Sequence, residues 1–142
     1  MEQDRVEAPR RPARILVVDD ERHIARFLVY VLTQGGYEAQ AVYDGEEALA
    51  AAESYLPDGV LLDLLLPKLS GREVLARLRA NPRFSGLKIL MLTGCPVQDE
   101  MNPALAGSGP DAYCLKPIGP SVLIDLLRQH GLHPRSEHGY AT

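Results

Sequence analysis

The chain has 142 residues and a formal net charge of −4, with 46% hydrophobic and 24% charged residues. That length suits one domain able to bury a core without disulfides or a structural metal, and the acidic balance argues against sequence-independent nucleic-acid binding, which needs a basic surface. No apolar stretch is long enough to span a membrane, and the polar, proline-containing start is no secretory signal.

Residues 1–13 mix charges with Pro9 and Pro12 and show no period, so a disordered arm is expected there. Order begins at Ile15-Leu16-Val17-Val18, an apolar run that reads as a strand buried on both faces and stops at Asp19-Asp20. Ile24, Phe27, Leu28, Val31 and Leu32 then follow helical spacing, and Gly35-Gly36 ends the helix. From Glu38 to Val42 polar and apolar residues alternate, as in an exposed edge strand. Asp44 and Glu47 stand at capping-box spacing before a helix with Ala48, Leu49, Ala52 and Leu56 as its stripe, stopped by Pro57.

Gly59-Val60-Leu61-Leu62 is the next buried strand and ends at Asp63. Ser70 and Glu73 form a second capping box, Val74, Leu75 and Leu78 face inward, and Asn81-Pro82 closes that helix. Ile89-Leu90-Met91-Leu92 is a strand ending at Thr93. Residues 94–110 hold Pro96, Pro103 and Pro110, and a long helix cannot cross Pro103 undisturbed, so a short or broken fourth helix is expected. A last strand, Ala112 to Leu115, ends at Lys116-Pro117. Pro120 opens a final helix with Val122, Leu123, Leu126 and Leu127 inward, and residues 133–142 read as a mobile tail. Cys95 and Cys114 form no C-x-x-C pair and fit reduced thiols in a cytoplasmic protein.

Strands thus alternate with helices five times, which specifies an α/β fold: a parallel sheet with helices on both faces and right-handed crossovers. In such open sheets ligands bind outside the carboxyl ends of the strands. The residues placed there are Asp19, Asp20, Asp63, Thr93 and Lys116. Each has an ordinary reading alone: an aspartate can cap a helix or form a turn, and a lysine can lie on the surface. Gathered on one rim, three carboxylates repel one another and ask for a hard divalent cation such as Mg²⁺. A lysine and a hydroxyl beside them would suit phosphate oxygens, and a carboxylate can act as nucleophile to give an aspartyl phosphate.

At this point the sequence resembles the receiver domain of bacterial two-component signalling. The matching stretches are Val17-Val18-Asp19-Asp20-Glu21, Asp63 with Pro67 and Gly71 four and eight residues on, Leu92-Thr93-Gly94, and Asp111 through Lys116-Pro117, within residues 14–132. The resemblance implies a flavodoxin-like three-layer sandwich with strand order 2-1-3-4-5. It implies that Asp63 accepts phosphate from a sensor histidine kinase or a histidine phosphotransfer protein. Asp20, Asp63 and the Leu65 backbone carbonyl would ligate Mg²⁺, with Asp19 acting through a metal-bound water. Lys116 would pair with phosphate, the Lys116–Pro117 bond would be cis, and Thr93 and Tyr113 would form a coupled switch pair. Output would pass through the surface of the fourth helix, fifth strand and fifth helix to a downstream protein or a homodimer, without direct DNA binding.

Two features depart from the family pattern. Residues 94–110 are rich in Pro and Gly, which bears on the output face, and Leu65 and Cys95 offer no charged group to position a hydrolytic water, so slow self-dephosphorylation is expected. An Asp-based phosphatase would need a second Asp where Leu65 stands, and neither nucleotide-binding glycine motif is present. A pseudo-receiver that docks partners without phosphorylation is the non-catalytic alternative. The chain reads either as a stand-alone regulator, which the short tail favours, or as a fragment of a larger regulator or hybrid kinase.

Overall fold

The computed structural model describes residues 11–94 and 109–135. Five parallel strands form one sheet in the order β2-β1-β3-β4-β5: β1 (Arg14–Val18), β2 (Glu38–Val42), β3 (Gly59–Asp63), β4 (Lys88–Thr93) and β5 (Ala112–Leu115). Four described helices cover it, α1 (Arg22–Gln34), α2 (Gly45–Tyr55), α3 (Gly71–Ala80) and α4 (Pro120–Gln129), the last being the final helix of the sequence reading. The chain steps from β1 to β2 in one direction and from β1's other side to β3, β4 and β5 in the opposite one. With a fixed crossover hand, that reversal sends successive helices to opposite faces.

The continuous apolar runs are explained by this layering. Successive side chains of a strand point to opposite faces, so Leu16, Val18, Val60 and Leu62 pack with α2 and α3, while Ile15, Val17 and Leu61 pack with α1 and α4. Neither face meets water, so both parities must be apolar. The edge strand β2 alternates exposed and covered residues instead.

The helix stripes differ in detail from the periodic reading. In α1 the buried residues are Ala25, Leu28 and Leu32, and Phe27 is 49% exposed. Phe27 precedes Leu28 by about 100° of helical rotation, which turns it out of the seam. In α2 the buried set is Ala48, Ala51 and Ala52, and Leu56 lies outside it at the left-handed C-cap, φ 53°. The helical conformation is disfavoured before Pro57, so the chain turns at Leu56. In α4, Leu123 and Leu127 are buried while Val122 is exposed.

Both N-caps form, Asp44 Oδ1 accepting from Glu47 N at 2.8 Å and Ser70 Oγ from Glu73 N at 3.2 Å, while the return bonds of a full capping box are replaced: Glu47 Oε1 accepts from Tyr43 N and Glu73 pairs with Arg77. Helix α1 ends in a Schellman motif, with Tyr37 N donating to Leu32 O, Gly36 N to Thr33 O, and Gly36 at φ 94°. The described parts of the two terminal segments belong to the fold. Pro12 is buried, Arg11 pairs with Asp58, Ala13 N donates to His133 O, and Arg135 N donates to Gly36 O. The expected fourth helix, Cys95, and the rest of the arm and tail lie outside the described residues.

Candidate functional site

The carboxyl ends of β1, β3 and β4 and the residue after β5 deliver Asp19, Asp63, Thr93 and Lys116 to one rim, with Asp20 next to Asp19. A carboxylate oxygen from each of Asp19, Asp20 and Asp63 lies within 4.8 Å of the others. Asp19 is fully buried, Asp63 nearly so, and Asp20 is exposed. Lys116 Nζ stands 3.3 Å from Asp19 Oδ2, 3.4 Å from Asp63 Oδ2 and 3.8 Å from Glu21 Oε1. Asp19 Oδ1 also accepts from Glu21 N at 3.0 Å. It does not cap α1, whose N-cap is Glu21 with no side-chain bond.

The electrostatics are strained in a useful direction. Burial raises the Asp63 pKa above its ordinary value, the Asp19 charge raises it further, and Lys116 and the Leu65 N–H offset part of this. Burial lowers the Lys116 pKa, but the charges of Asp63 and Asp19 outweigh it and hold the ammonium on. One ammonium therefore faces two buried carboxylates and an exposed third. The donor set, all hard oxygen, is one a small divalent cation would complete.

Thr93 is buried at the end of β4, and its carbonyl accepts from Lys116 N at 2.9 Å, which ties the two strand ends together. Met91 and Tyr113 are register partners on neighbouring strands, and Tyr113 is half-buried against the α2/α3 side of the core. By strand alternation Thr93 and Tyr113 share that face. The Lys116–Pro117 peptide is cis. A cleft of about 460 Å³ opens among Asp20, Asp63, Leu65, Thr93 and Lys116.

A larger cleft, about 640 Å³, lies at the opposite edge of the sheet between Arg11, Asp58, Phe84, Lys88 and His133. Its Arg11 and Arg83 are engaged by Asp58 and Glu53. Size alone does not make a site; the smaller cleft has the converging carboxylates and the perturbed pair.

The sequence profile of the response regulator receiver domain matches residues 15–128. The chain belongs to this family. This receiver is 41% identical over 116 residues to the DNA-binding response regulator MtrA of Mycobacterium tuberculosis, covering 81% of this chain and 49% of that protein. It is 44% identical over 109 residues to the alkaline phosphatase synthesis transcriptional regulatory protein PhoP of Bacillus subtilis, covering 75% and 43%. The receiver thus spans about half the length of the curated relatives it matches. Chemotaxis protein CheY4 of Vibrio cholerae has a similar structure, with a TM-score of 0.75 at 29% identity, covering 83% of this chain and 98% of that one. The family is one of regulatory proteins, and the matched region is their receiver domain.

The periodic reading did not single out two aspartates at the far edge of the sheet. Asp58 accepts from Arg14 N at 2.8 Å and pairs with Arg11; Asp111 accepts from Ile89 N at 2.8 Å and pairs with Arg79. Each stands immediately before a strand and after a proline, Pro57-Asp58 and Pro110-Asp111. That repeated dipeptide was the available signal.

Proposed function

We propose that this receiver is a phosphorylation switch in which Asp63 takes a phosphoryl group from the phosphohistidine of a sensor kinase or phosphotransfer protein. The observation that carries this reading is the Asp63 carboxylate set at a strand end, 3.4 Å from Lys116 and grouped with Asp19 and Asp20. An Asp63 oxygen attacks phosphorus, the P–N bond breaks, and the electron pair leaves with the imidazole nitrogen. Lys116 sits where charge on the transferred group would develop, and Thr93 offers a hydroxyl at the same cleft. Asp20, exposed at the cleft, and Asp63 would hold Mg²⁺ directly together with the Leu65 carbonyl, while Asp19, fully buried with one oxygen on the Glu21 N–H and the other on Lys116, would act through a bound water. When bound, that cation would neutralise phosphate and carboxylate charge.

Phosphorylation adds about −1.5 to −2 charges and three acceptor oxygens. The Thr93 hydroxyl and Lys116 can satisfy those oxygens in one arrangement of the loops after β4 and β5. Tyr113, on the same face as Thr93, would follow that rearrangement and alter the surface of β5 and α4, where Leu115 and Val122 are exposed. We read the output as a protein contact made in the cytoplasm, with homodimerisation as one form of it. The relatives named as DNA-binding and transcriptional regulators extend well beyond the matched region, and the acidic charge of this chain gives no general affinity for DNA.

Acetyl phosphate with Mg²⁺ tests the reading. A mass gain of one phosphoryl group that disappears in Asp63→Asn is expected; an unchanged mass supports a docking module that works unphosphorylated. Leu65, 80% exposed beside Asp63, cannot orient a water for hydrolysis. Loss of the label within seconds in purified protein would contradict the expected slow self-dephosphorylation.

A further inference from the structure

The loop between β3 and α3 carries Leu65, yet the Leu65 side chain is exposed and packing does not hold it. Its backbone matters to the site, because Leu65 follows Asp63 by two residues and lines the same cleft. Leu64, Leu66 and Leu69 are half-buried against the α2/α3 side of the core, and polar and backbone contacts add to that packing in fixing the loop. At its far end, Gly71 N donates to Leu64 O at 2.9 Å, and a Cβ on Gly71 would stand 2.2 Å from Asp63 O. In its middle, Lys68 adopts φ 68°, a left-handed conformation unusual for a residue with a Cβ.

The strained lysine reaches a specific partner. Lys68 Nζ is 3.4 Å from Asp44 Oδ2, and the Asp44 side chain is only 10% exposed. The other Asp44 oxygen caps α2 through Glu47 N. The backbones meet at the same place: a Cβ on Gly45 would lie 2.2 Å from Leu69 O, so the loop rests directly on the first residue of α2. The Glu47 N–H and then Lys68 hold the Asp44 carboxyl below its ordinary range, so it is charged at neutral pH.

We propose that Asp44 and Lys68 form a positioning latch, clamping the β3–α3 loop onto the start of α2 so that the Leu65 backbone is presented to Asp63 and to the bound cation. The proposal rests on the reading of Asp63 as acceptor in a cation site. Neither residue touches the reacting atoms; both act through Leu65. Lys68 is 60% exposed, which weakens the ion pair as a source of stability. Its effect belongs on cation affinity.

The test is calorimetric titration of the full chain with Mg²⁺, alongside thermal unfolding without it. Asp44→Asn keeps an oxygen to cap α2 and removes the charge. Lys68→Met removes the charge at the other end, and Lys68→Arg restores it. Each single neutral variant is expected to weaken Mg²⁺ binding about tenfold, the low end for a supporting residue around a metal site. The double variant should be no weaker than the worse single one, and Lys68→Arg should match wild type within about twofold, on the same reasoning. At saturating Mg²⁺ the rate of phosphorylation by acetyl phosphate should return to the wild-type value. Wild-type binding beside unchanged affinity in both neutral variants overturns the latch alone. Wild-type protein that takes up no Mg²⁺ overturns the reading of the site, and the latch with it.

Discussion

Asp63 shows how a single residue can be held against its own stability. Burial and the Asp19 charge keep its folded pKa above the ordinary 3.8, so the folded state binds the proton more tightly than the unfolded chain does. The ionised carboxylate therefore subtracts from stability as pH rises from 3.8 through the folded value, and fully so beyond it. Asp63→Asn is expected to raise the melting temperature by a few degrees at pH 7 without divalent cation. The gain should vanish below 3.8, where wild type is also neutral. A scan of melting temperature against pH for the two proteins checks both the sign and the window. Asp111 has the opposite tendency. Burial pushes its pKa up, but the Ile89 N–H and Arg79 outweigh that and leave it lowered. Its contribution is present above 3.8 and is lost as pH falls through the folded value. Asp111→Ala strands the Ile89 N–H and should cost about 1–3 kcal/mol at pH 7, with a shrinking gap in acid, measured by urea unfolding.

At the scale of elements, ends proved more informative than middles. Asp44, Ser70, Gly36 and Pro120 each terminate or open a helix where the sequence pattern puts them, because caps depend on local hydrogen bonds and backbone freedom. Gly36 is the sharpest case, with φ 94° and a hypothetical Cβ 3.1 Å from Pro134 Cβ. Gly36→Ala should cost about 1–2 kcal/mol for the left-handed backbone, read as a lower urea midpoint at unchanged slope. Helix faces were less legible. Phe27 and Leu56 fit a helical period by hydrophobicity, yet Ala25 and Ala51 are buried while Phe27 is turned out of the seam and Leu56 sits at the left-handed cap. Which of two adjacent stripes faces inward is decided by the neighbour, and periodicity does not contain the neighbour.

For the whole molecule, the sheet assembles charge at one edge and locks strands at the other. Asp58 and Asp111 bind the starts of β1 and β4 at the edge remote from the site. The acidic rim at the other edge leaves a deficit that cation binding can repair. Binding to the folded state alone stabilises by mass action, about 2.7 kcal/mol at a hundredfold excess over Kd. Wild type should therefore show a melting temperature that climbs with Mg²⁺. Asp63→Asn, already relieved of repulsion, should show a much flatter response in the same calorimetric series.

Read alone, the sequence determined the alternation of five strands with helices, the residues that end each strand, and the two helix caps. These follow from backbone propensity and from the period of apolar side chains, which are properties of short segments. The rim itself also followed, because parallel strands place all their carboxyl ends on one side. Tertiary structure decided the rest: the pairing of Lys116 with both Asp19 and Asp63, the clamps at Asp58 and Asp111, and the Lys68–Asp44 contact across elements. Those interactions join residues far apart along the chain. Their energy depends on distance and burial, and both come into being only when the chain folds.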